Sequence, residues 1–277
     1  MDHYGIIGHP LGHTLSPVLH NWGFQSCGID ALYSVHDTPP ENLSGFMDTV
    51  RREHIKGLSV TIPHKQSIMP LLDRVSSRAR AVGAVNTVFW DNGQLKGTNT
   101  DLTGCLTPLR GLGRVPRSAL VLGAGGAARA VIAAVHELGV VDVAVTNRHR
   151  DKAEALARDF SVRVVDWENR HVHPPELLVN TTPLGMAGKY ENLSPWPLQA
   201  LPQGTVVFDL IYNPLHTNLV NMADGCGCTI ISGLEMFLYQ GLKQFKLWTG
   251  KDLDPAQARC LLLEHLAPGG GSGAASS

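Results

Sequence analysis

Residues 119–139 read ALVLGAGGAARAVIAAVHELG, in which an apolar strand-like run, a glycine-rich turn and an alanine-rich helical run follow one another. This is the context in which the glycine fingerprint of dinucleotide-binding proteins occurs. Gly123 permits the tight turn and Gly125 lets a pyrophosphate approach the backbone, while Ala128 fills the third small position. The start of the following helix supplies N–H groups and the positive end of its dipole. The stretch therefore predicts a Rossmann-type domain.

The second strand of this unit, VDVAVTN (141–147), runs into a basic turn. An NAD site usually carries an acidic residue here, which bonds the ribose 2′-hydroxyl. A 2′-phosphate would be repelled by a carboxylate and held by a guanidinium, so Arg148, with Arg150 or Lys152 nearby, indicates NADP. The alternative is a solvated basic turn, although cations at the start of a helix oppose its dipole.

Strand-like and helical runs alternate along the whole chain, which predicts an α/β protein. We expect strands near 3–8, 31–37, 57–62, 85–90, 119–122, 141–146, 162–166, 177–180 and 205–210, and helices near 17–27, 41–54, 64–81, 102–110, 126–138, 151–159, 233–250 and 255–266. Ser16-Pro17 predicts an N-cap followed by proline, and Asn92-Gly93 predicts a hairpin turn. The stretch GLGRVPRS (111–118) suits a linker between domains, and PGGGSGAASS (268–277) suggests a disordered tail.

The bulk composition excludes several kinds of partner. The chain has 277 residues, 43% of them hydrophobic, which is enough for one large domain or two ordinary ones. Lys and Arg number 23 against 24 Asp and Glu, so no basic excess is available to bind nucleic acid or an anionic membrane. The N-terminus lacks the features of a signal peptide or a membrane span, and the five scattered cysteines suggest free thiols, so we expect a cytoplasmic protein. Neither Cys226-Gly-Cys228 nor the histidines stand at ligand spacing, so we expect no metal.

Two stretches of the N-terminal half carry candidate binding groups. In GLSVTIPHKQ (57–66), Pro63 cannot donate to a strand ladder, so the strand ends there and Lys65 follows at the edge where α/β sheets bind ligands. A solvated lysine is the alternative, and on this stretch alone it is the commoner one. Thr14 and Ser16 place hydroxyls beside a helix start, where they could bind a carboxylate, or Ser16 could serve only as an N-cap.

A series of motifs resembles the shikimate dehydrogenase family. In chain order they are GHTLSP, LSVTIPHK, GAVNTV, GTNTD, GAGGAARA, NRHRDKA, NTTPLGM, DLIYNPLHT and the helical run 233–250. The resemblance extends from residue 5 to about residue 266. It implies reversible NADPH-dependent reduction of 3-dehydroshikimate to shikimate, a step of aromatic amino-acid biosynthesis. It also implies an α/β substrate domain (1–101 and 240–267) and a Rossmann-type NADP-binding domain (102–239), with a cleft between the two.

The resemblance further implies roles for single residues. Hydride that arrives at a ketone carbon creates an alkoxide, which a positioned acid must neutralise. Lys65 would exchange this proton at the 3-oxygen, and Asp101 would orient Lys65 and bond the same hydroxyl. Thr14, Ser16 and Tyr212 would hold the substrate carboxylate, and Thr61, Asn86 and Gln240 would hold its ring hydroxyls. The residues on the NADP side would be Gly123, Ala124, Gly125, Gly126, Ala127, Asn147, Arg148 and Lys152, with Leu210 and Gly233 against the nicotinamide.

Several alternatives stay open at this point. A quinate/shikimate dehydrogenase that uses NAD or NADP is the nearest one, although Thr14, where Ser is common, and Arg148 oppose it. A noncatalytic NADP-binding protein would be expected to lack Lys65 or Asp101, and both are present. The sequence is compatible with a monomer and with a homodimer.

Overall fold

The computed structural model describes residues 1–12, 14–197 and 201–267, so the predicted disordered tail lies outside the described residues. The chain divides into two compact units. Unit 1 contains Met1–Thr100 and the chain from Leu238 onward, and unit 2 contains Asp101–Phe237. Each unit has a six-stranded sheet covered by helices, which confirms the predicted α/β class. Within the described ranges, no helix has the length and apolar character needed to cross a bilayer.

Unit 1 is built on a mixed sheet. Its strands are β1 (Asp2–Gly8), β2 (Ala31–Asp37), β3 (Gly57–Val60), β4 (Arg74–Val75), β5 (Thr87–Asp91) and β6 (Gln94–Thr98), in the order β2-β1-β3-β5-β6-β4. Its helices are α1 (Ser16–Ser26), α2 (Leu43–Arg52), α3 (His64–Ser67) and α4 (Ser77–Val82). Strand β1 pairs in parallel with β2 and β3, whereas β5 is antiparallel to β3 and β6. The predicted hairpin is confirmed, since Asn92 and Gly93 both have positive φ between β5 and β6.

Both faces of this sheet are buried. On one face, Ile7, Leu58 and Val60 pack with Met47 and Val50 of α2. The opposite face carries a second cluster, whose members are Tyr4, Ile6, Phe24, Tyr33, Phe245 and Leu253. Because successive side chains of a strand point to opposite faces, neighbours such as Ile6 and Ile7 belong to different clusters.

Unit 2 is a parallel sheet with the Rossmann strand order. Its strands are β7 (Ser118–Leu122), β8 (Asp142–Thr146), β9 (Arg163–Val164), β10 (Leu177–Asn180), β11 (Val206–Asp209) and β12 (Thr229–Ser232), and its helices are α5 (Asp101–Arg110), α6 (Gly126–Leu138), α7 (Arg150–Phe160) and α8 (Asn218–Gly225). Every strand pairing is parallel. From one edge the order is β9-β8-β7-β10-β11-β12, which is the dinucleotide-binding arrangement with its switch point between β7 and β10. Helix α9 (Gly233–Thr249) begins in unit 2 and ends in unit 1, and α10 (Pro255–Leu266) follows it.

The helix predicted over 64–81 is wrong. Helix α3 ends at Ser67, a 3₁₀ turn follows at Met69–Leu71, and β4 pairs with β6 before α4 begins. Pro70 has no N–H with which to continue the helix. The Ser76 hydroxyl accepts the Ala79 N–H and starts α4 as a separate helix. Lys65 therefore lies on the short helix α3, directly after the end of β3.

Three other local expectations need correction. Helix α1 begins at Ser16 with Leu15 in the N-cap position, so Ser16 is not the cap, and its N–H is bonded by the Thr14 hydroxyl instead. Helix α8 and strand β12 were not predicted. The Thr217 hydroxyl caps α8 by accepting the Val220 N–H, and β12 is a strand of four residues that pairs in parallel with β11. Neither feature leaves a strong periodic signal.

Strand β2 is an edge strand whose outer side is covered by one side chain of α1. The Asn21 amide accepts the Tyr33 N–H (2.8 Å) and donates to the Tyr33 carbonyl (3.1 Å). Asn21 thus replaces a neighbouring strand at the middle of the edge. This protection matters because Leu32 and Val35 of the same strand are exposed and an open apolar edge invites pairing with another chain.

A second buried arrangement lies at the carboxyl ends of β10 and β11. Asp209 accepts hydrogen bonds from the Asn180 amide (2.8 Å), the Thr217 hydroxyl (2.6 Å) and the Ile211 N–H (3.2 Å). The carboxylate therefore fixes the loop between Leu210 and Thr217 at both ends. Burial raises the pKa of Asp209, and the three hydrogen bonds oppose this rise.

We expect Asn21→Ala to lower the free energy of unfolding by about 1–3 kcal/mol, because the Tyr33 N–H and carbonyl lose their partner. Denaturant unfolding measures this loss, and light scattering at rising concentration should reveal self-association through the uncovered edge. Asn221→Ala, an exposed change on α8, is the matched control and should alter neither measurement. An Asn21→Ala protein as stable and monodisperse as the parent would contradict the role of Asn21.

The raised pKa of Asp209 predicts a pH dependence of stability. The folded state holds this proton more tightly than the unfolded chain, so the free energy of unfolding falls as pH rises from the ordinary pKa of an aspartic acid, about 4, through the raised pKa of the folded state. Asp209→Asn keeps the shape of the side chain but cannot ionise. Urea titrations should therefore show a smaller fall in the free energy of unfolding of this variant over the same pH interval. Asp209→Leu leaves three donors unpaired and should destabilise at every pH. An unchanged slope in Asp209→Asn would rule the explanation out.

Candidate functional site

The glycine loop between β7 and α6 has the geometry of a phosphate cradle. Gly123 has φ +112°, and a Cβ there would lie 2.5 Å from the Thr181 hydroxyl oxygen, so the turn requires glycine. A Cβ on Gly125 would meet nothing within 4 Å, so this side of the loop is open to a ligand. Gly125 is also the N-cap of α6 and has no side chain with which to bond the first N–H groups. The loop therefore fits a dinucleotide pyrophosphate.

The arginines of the basic turn after β8 differ in their ion-pair partners. Arg150 bonds Glu154 (2.8 Å) and lies 3.6 Å from Asp166, so two carboxylates already neutralise it. Arg148 has no ion pair within residues 1–12, 14–197 and 201–267, and it lines a pocket together with Asn147 and Asp166. The Asn147 amide donates to the His149 carbonyl (2.9 Å), which shapes the turn. Of the predicted phosphate-binding arginines, Arg148 is the better placed. Lys152, at the start of α7, is exposed and likewise makes no ion pair in the described chain.

Leu210 and Gly233 meet just past the carboxyl ends of β11 and β12. A Cβ on Gly233 would lie 2.3 Å from the backbone carbon and oxygen of Leu210, so only glycine lets α9 start against the end of β11. Tyr212 follows in the loop that Asp209 fixes, and its ring lies 5.0 Å from the ring of Phe237. Burial raises the pKa of the Tyr212 hydroxyl, so this group stays protonated near neutral pH.

Thr14 and Ser16 lie together at the start of α1 in unit 1. The Thr14 hydroxyl donates to the Ser16 hydroxyl and accepts the Ser16 N–H, both at 3.2 Å. The loop before them is held by Asp37, which accepts from the Leu11 N–H (3.1 Å) and bonds the His9 ring (3.0 Å). The hydrogen bond from His9 lowers the pKa of Asp37, with the Leu11 N–H as the next cause. The two hydroxyls thus sit on an anchored loop.

Lys65 and Asn86 are joined through the backbone of unit 1. The Lys65 carbonyl accepts the Val85 N–H (2.7 Å), immediately before Asn86. The residue before Lys65, His64, is buried and bonds the Thr38 carbonyl (2.6 Å), which fixes α3. Thr61, at the end of β3, bonds the Ile7 carbonyl through its N–H (2.9 Å). Lys65 therefore stands on an immobilised turn of helix, not on a solvated loop.

The side chain of Asn86 bonds the segment that leads to Asp101. Its Oδ1 accepts the Thr100 N–H (2.7 Å), and its Nδ2 donates to the Thr100 hydroxyl (2.9 Å) and to Gln240 Oε1 (3.4 Å). Because a backbone N–H can only donate, the orientation of the amide is determined. Asp101 follows as the buried first residue of α5, where a carboxylate is favoured by the helix dipole. Asn86 is thus both a structural cap and a neighbour of Gln240.

The structure brings some of the predicted residues into contact and adds polar residues that the sequence did not indicate. Thr14 with Ser16, Asn86 with Gln240, and Leu210 with Gly233 are contacts of the structure, whereas Tyr212 lies in unit 2. The polar residues behind Asn86 were missed: Tyr33, Ser59, Thr87, Thr100 and Gln244. One signal was present, since Gln244 follows Gln240 by four residues and so lies on the same face of α9. In the described ranges no group of three or more His, Cys, Asp or Glu side chains could hold a metal ion.

Three family models match the chain. The shikimate dehydrogenase substrate binding domain matches residues 6–88. The shikimate / quinate 5-dehydrogenase model matches residues 113–173, and the shikimate 5′-dehydrogenase C-terminal domain matches residues 233–259. The first match includes Lys65 and Asn86, and the second includes the glycine loop and Arg148.

Similar proteins cover nearly the whole chain. A shikimate dehydrogenase (NADP(+)) of Maridesulfovibrio salexigens is 49% identical over 263 residues, which are 95% of this chain and 97% of the relative. A crystal structure of shikimate 5-dehydrogenase from Thermus thermophilus, in complex with NADP(H) and shikimate, is 39% identical with a TM-score of 0.86, and the match covers 95% of this chain and 99% of the other. Quinate dehydrogenase from Corynebacterium glutamicum, in complex with NAD, is 30% identical with a TM-score of 0.88, over 95% of this chain and 99% of the other. The chain therefore belongs to the shikimate dehydrogenase family.

Proposed function

We propose that this chain catalyses the reversible NADPH-dependent reduction of 3-dehydroshikimate to shikimate, a step in the biosynthesis of aromatic amino acids. The likeness to the Thermus thermophilus enzyme in complex with NADP(H) and shikimate carries this proposal, since it covers 95% of the chain. The glycine loop and Arg148 support the cofactor, and the hydroxyl and amide groups of unit 1 support a polyhydroxylated acid as the substrate.

The residues of unit 2 would bind NADP. The backbone of Gly123–Gly126 and the start of α6 receive the pyrophosphate, and the Arg148 guanidinium receives the 2′-phosphate. Leu210 and Gly233 form the surface for the nicotinamide ring, which supplies the hydride when the cofactor is bound. Ala124, Ala127, Asn147 and Lys152 complete this set.

The residues of unit 1 would bind the substrate. Thr14 and Ser16 donate hydrogen bonds to its carboxylate, and the family resemblance adds the Tyr212 hydroxyl to this group. Thr61, Asn86 and Gln240 bond the ring hydroxyls. A site that bonds each hydroxyl rejects analogues that lack one, because its own polar groups would stay unpaired.

Lys65 and Asp101 would form the acid–base pair. As the ketone carbon receives hydride, Lys65 donates a proton to the 3-oxygen and prevents a free alkoxide. In the oxidation of shikimate, Lys65 or a water accepts that proton. The Asp101 carboxylate orients the Lys65 ammonium group and bonds the same hydroxyl.

Reduced nicotinamide formation with shikimate or quinate, each with NADP and with NAD, tests the proposal. We expect turnover with shikimate and NADP. Lys65→Ala should lower kcat by about 10²–10⁴-fold with little change in the KM for shikimate, because the proton donor is lost and the binding groups remain. Lys56→Ala, in the same unit, is the control and should retain kcat. Silence of the parent protein in all four mixtures, or normal turnover by Lys65→Ala, would reject the mechanism.

The broader alternative is a quinate/shikimate dehydrogenase. The likeness to the quinate dehydrogenase of Corynebacterium glutamicum in complex with NAD favours it, although Arg148 stands where an NAD site usually has a carboxylate. Comparable turnover with quinate or with NAD in the same four mixtures would assign the chain to this class.

The cofactor preference should depend on Arg148 and not on Arg150. Loss of a charge-assisted bond to phosphate costs about 1.5–3 kcal/mol, so Arg148→Gln should raise the KM for NADP by about 10- to 100-fold and leave the KM for NAD unchanged. Arg150→Gln is the matched control, because Glu154 and Asp166 already neutralise Arg150. Steady-state kinetics in NADP and NAD decide the point. An unchanged KM for NADP in Arg148→Gln, or an equal rise in Arg150→Gln, would contradict this assignment.

A further inference from the structure

A directed chain of buried hydrogen bonds runs behind Asn86 in unit 1. The Tyr33 hydroxyl donates to the Ser59 hydroxyl (2.6 Å), which donates to Gln244 Oε1 (2.9 Å). Gln244 Nε2 donates to the Thr87 hydroxyl (3.0 Å) and to the Asn86 carbonyl (3.1 Å). The Thr87 hydroxyl then donates to Asn86 Oδ1 (2.7 Å). All five residues are buried, and Gln244 is only 1% exposed.

The direction of this chain follows from chemistry. The Thr100 N–H identifies the Asn86 atom that it meets as Oδ1, so the Thr87 hydroxyl donates its one proton to that oxygen. The Asn86 backbone carbonyl can only accept, so the Gln244 atom that faces it is Nε2, which donates to Thr87 as well. The opposite end, Oε1, faces Ser59 and accepts from it. Gln244 therefore determines the direction of the hydrogen bonds to Ser59 at one end of its amide and to Thr87 at the other.

The groups at the Tyr33 end of this hydrogen-bond chain are neutral. Burial raises the pKa of Tyr33 far above its ordinary value, so the hydroxyl keeps its proton. The His20 ring stacks on Tyr33 with centroids 4.6 Å apart, and burial lowers its pKa to about 3, so it is neutral near pH 7. At this end, alignment of the hydrogen bonds therefore depends on their geometry.

Gln244 also aligns α9 with β5. Gln240, one turn earlier, accepts from Asn86 Nδ2 (3.4 Å), and Trp248, one turn later, donates to the Val88 carbonyl (3.0 Å). Around these contacts α9 packs through rings, such as Phe245 against Phe24 at 5.4 Å. Ring packing tolerates small rotations and slides, whereas hydrogen bonds fix distance and direction.

We propose that Gln244 is a positioning residue that holds Asn86 and Gln240 in the arrangement that binds the ring hydroxyls of the substrate. The inference rests on the proposed function, in which Asn86 and Gln240 contact those hydroxyls. Loss of the Gln244 amide frees the Thr87 hydroxyl to donate elsewhere, so Asn86 Oδ1 loses one of its donors and the Asn86 amide is held less firmly, by Thr100 alone on this side. If the substrate has to order a mobile binding group, part of the binding free energy is lost to that ordering, and the substrate binds more weakly.

Two variants of Gln244 test this role. Gln244→Met keeps the length and removes every hydrogen bond, while Gln244→Glu keeps the acceptor for Ser59 and removes both donors. We expect either change to raise the KM for shikimate about tenfold or more and to leave the KM for NADP within about twofold. In an Asn86→Ala background, Gln244→Met should change kcat/KM by less than about twofold, because the residue through which it acts is already absent.

Thr87 provides a second test that does not depend on folding of the Gln244 variants. Thr87→Ser retains the hydroxyl and should keep the parent KM for shikimate, whereas Thr87→Val removes it and should raise that KM. Met47→Ala removes core volume from the other cluster of unit 1 and is the control for simple loss of stability. It should lower Tm while the KM for shikimate stays unchanged.

The outcomes separate this inference from the proposed function. If the parent protein oxidises shikimate with NADP and Gln244→Met or Thr87→Val shows the parent KM, the positioning role is overturned and the proposed function stands. An effect of Gln244→Met that is equally large in the Asn86→Ala background would also overturn it. A parent protein without turnover on shikimate would overturn the proposed function and this inference together.

Discussion

The hydrogen bond from the Thr100 N–H to Asn86 Oδ1 is the contact on which the candidate site of unit 1 depends. It joins the start of β5 to the segment that follows β6, so two neighbouring strand ends are fixed at one place. Val85, beside Asn86, holds the Lys65 carbonyl, and Thr100 leads directly into Asp101. The residues proposed for proton transfer thus both extend from a framework that is buried and hydrogen-bonded, which is the condition for precise placement of reacting groups.

The candidate cofactor site of unit 2 depends instead on backbone N–H groups and on a guanidinium, both of which suit a phosphorylated ligand. A parallel sheet places the carboxyl ends of its strands at one edge, and at the switch point the chain that follows β7 and the chain that follows β10 lead to strands on opposite sides. Two carboxylates, Glu154 and Asp166, neutralise Arg150. Arg148 makes no ion pair in the described chain, so its guanidinium is the one in this turn that is available for a phosphate. The local sequence places several cationic residues in this turn, and the tertiary structure determines which of them are already paired with carboxylates.

The parts of the fold that could be predicted are those with a strong local signal. The glycine loop, the Asn92-Gly93 hairpin and the buried β-branched strands were recognised because glycine geometry and hydrophobic period act over a few residues. The region 64–81 was not, because the pairing of Arg74 and Val75 with β6 competes with local helical spacing and wins through backbone hydrogen bonds. Thr14, Asn86 and Gln240 came from motifs of a known family. The residues behind them, above all Gln244, depend on contacts between segments more than 150 residues apart, which no local pattern records.

The division of unit 1 between the two ends of the chain has a consequence for its synthesis. Residues 101–237 leave the ribosome before α9 is complete, so every segment of unit 2 is available to fold first. In the first hundred residues, Ser59, Thr87 and the apolar surface around Phe24 meanwhile lack their contacts with α9, which covers them in the folded protein. The nascent N-terminal segment therefore exposes this apolar surface until helices α9 and α10 emerge.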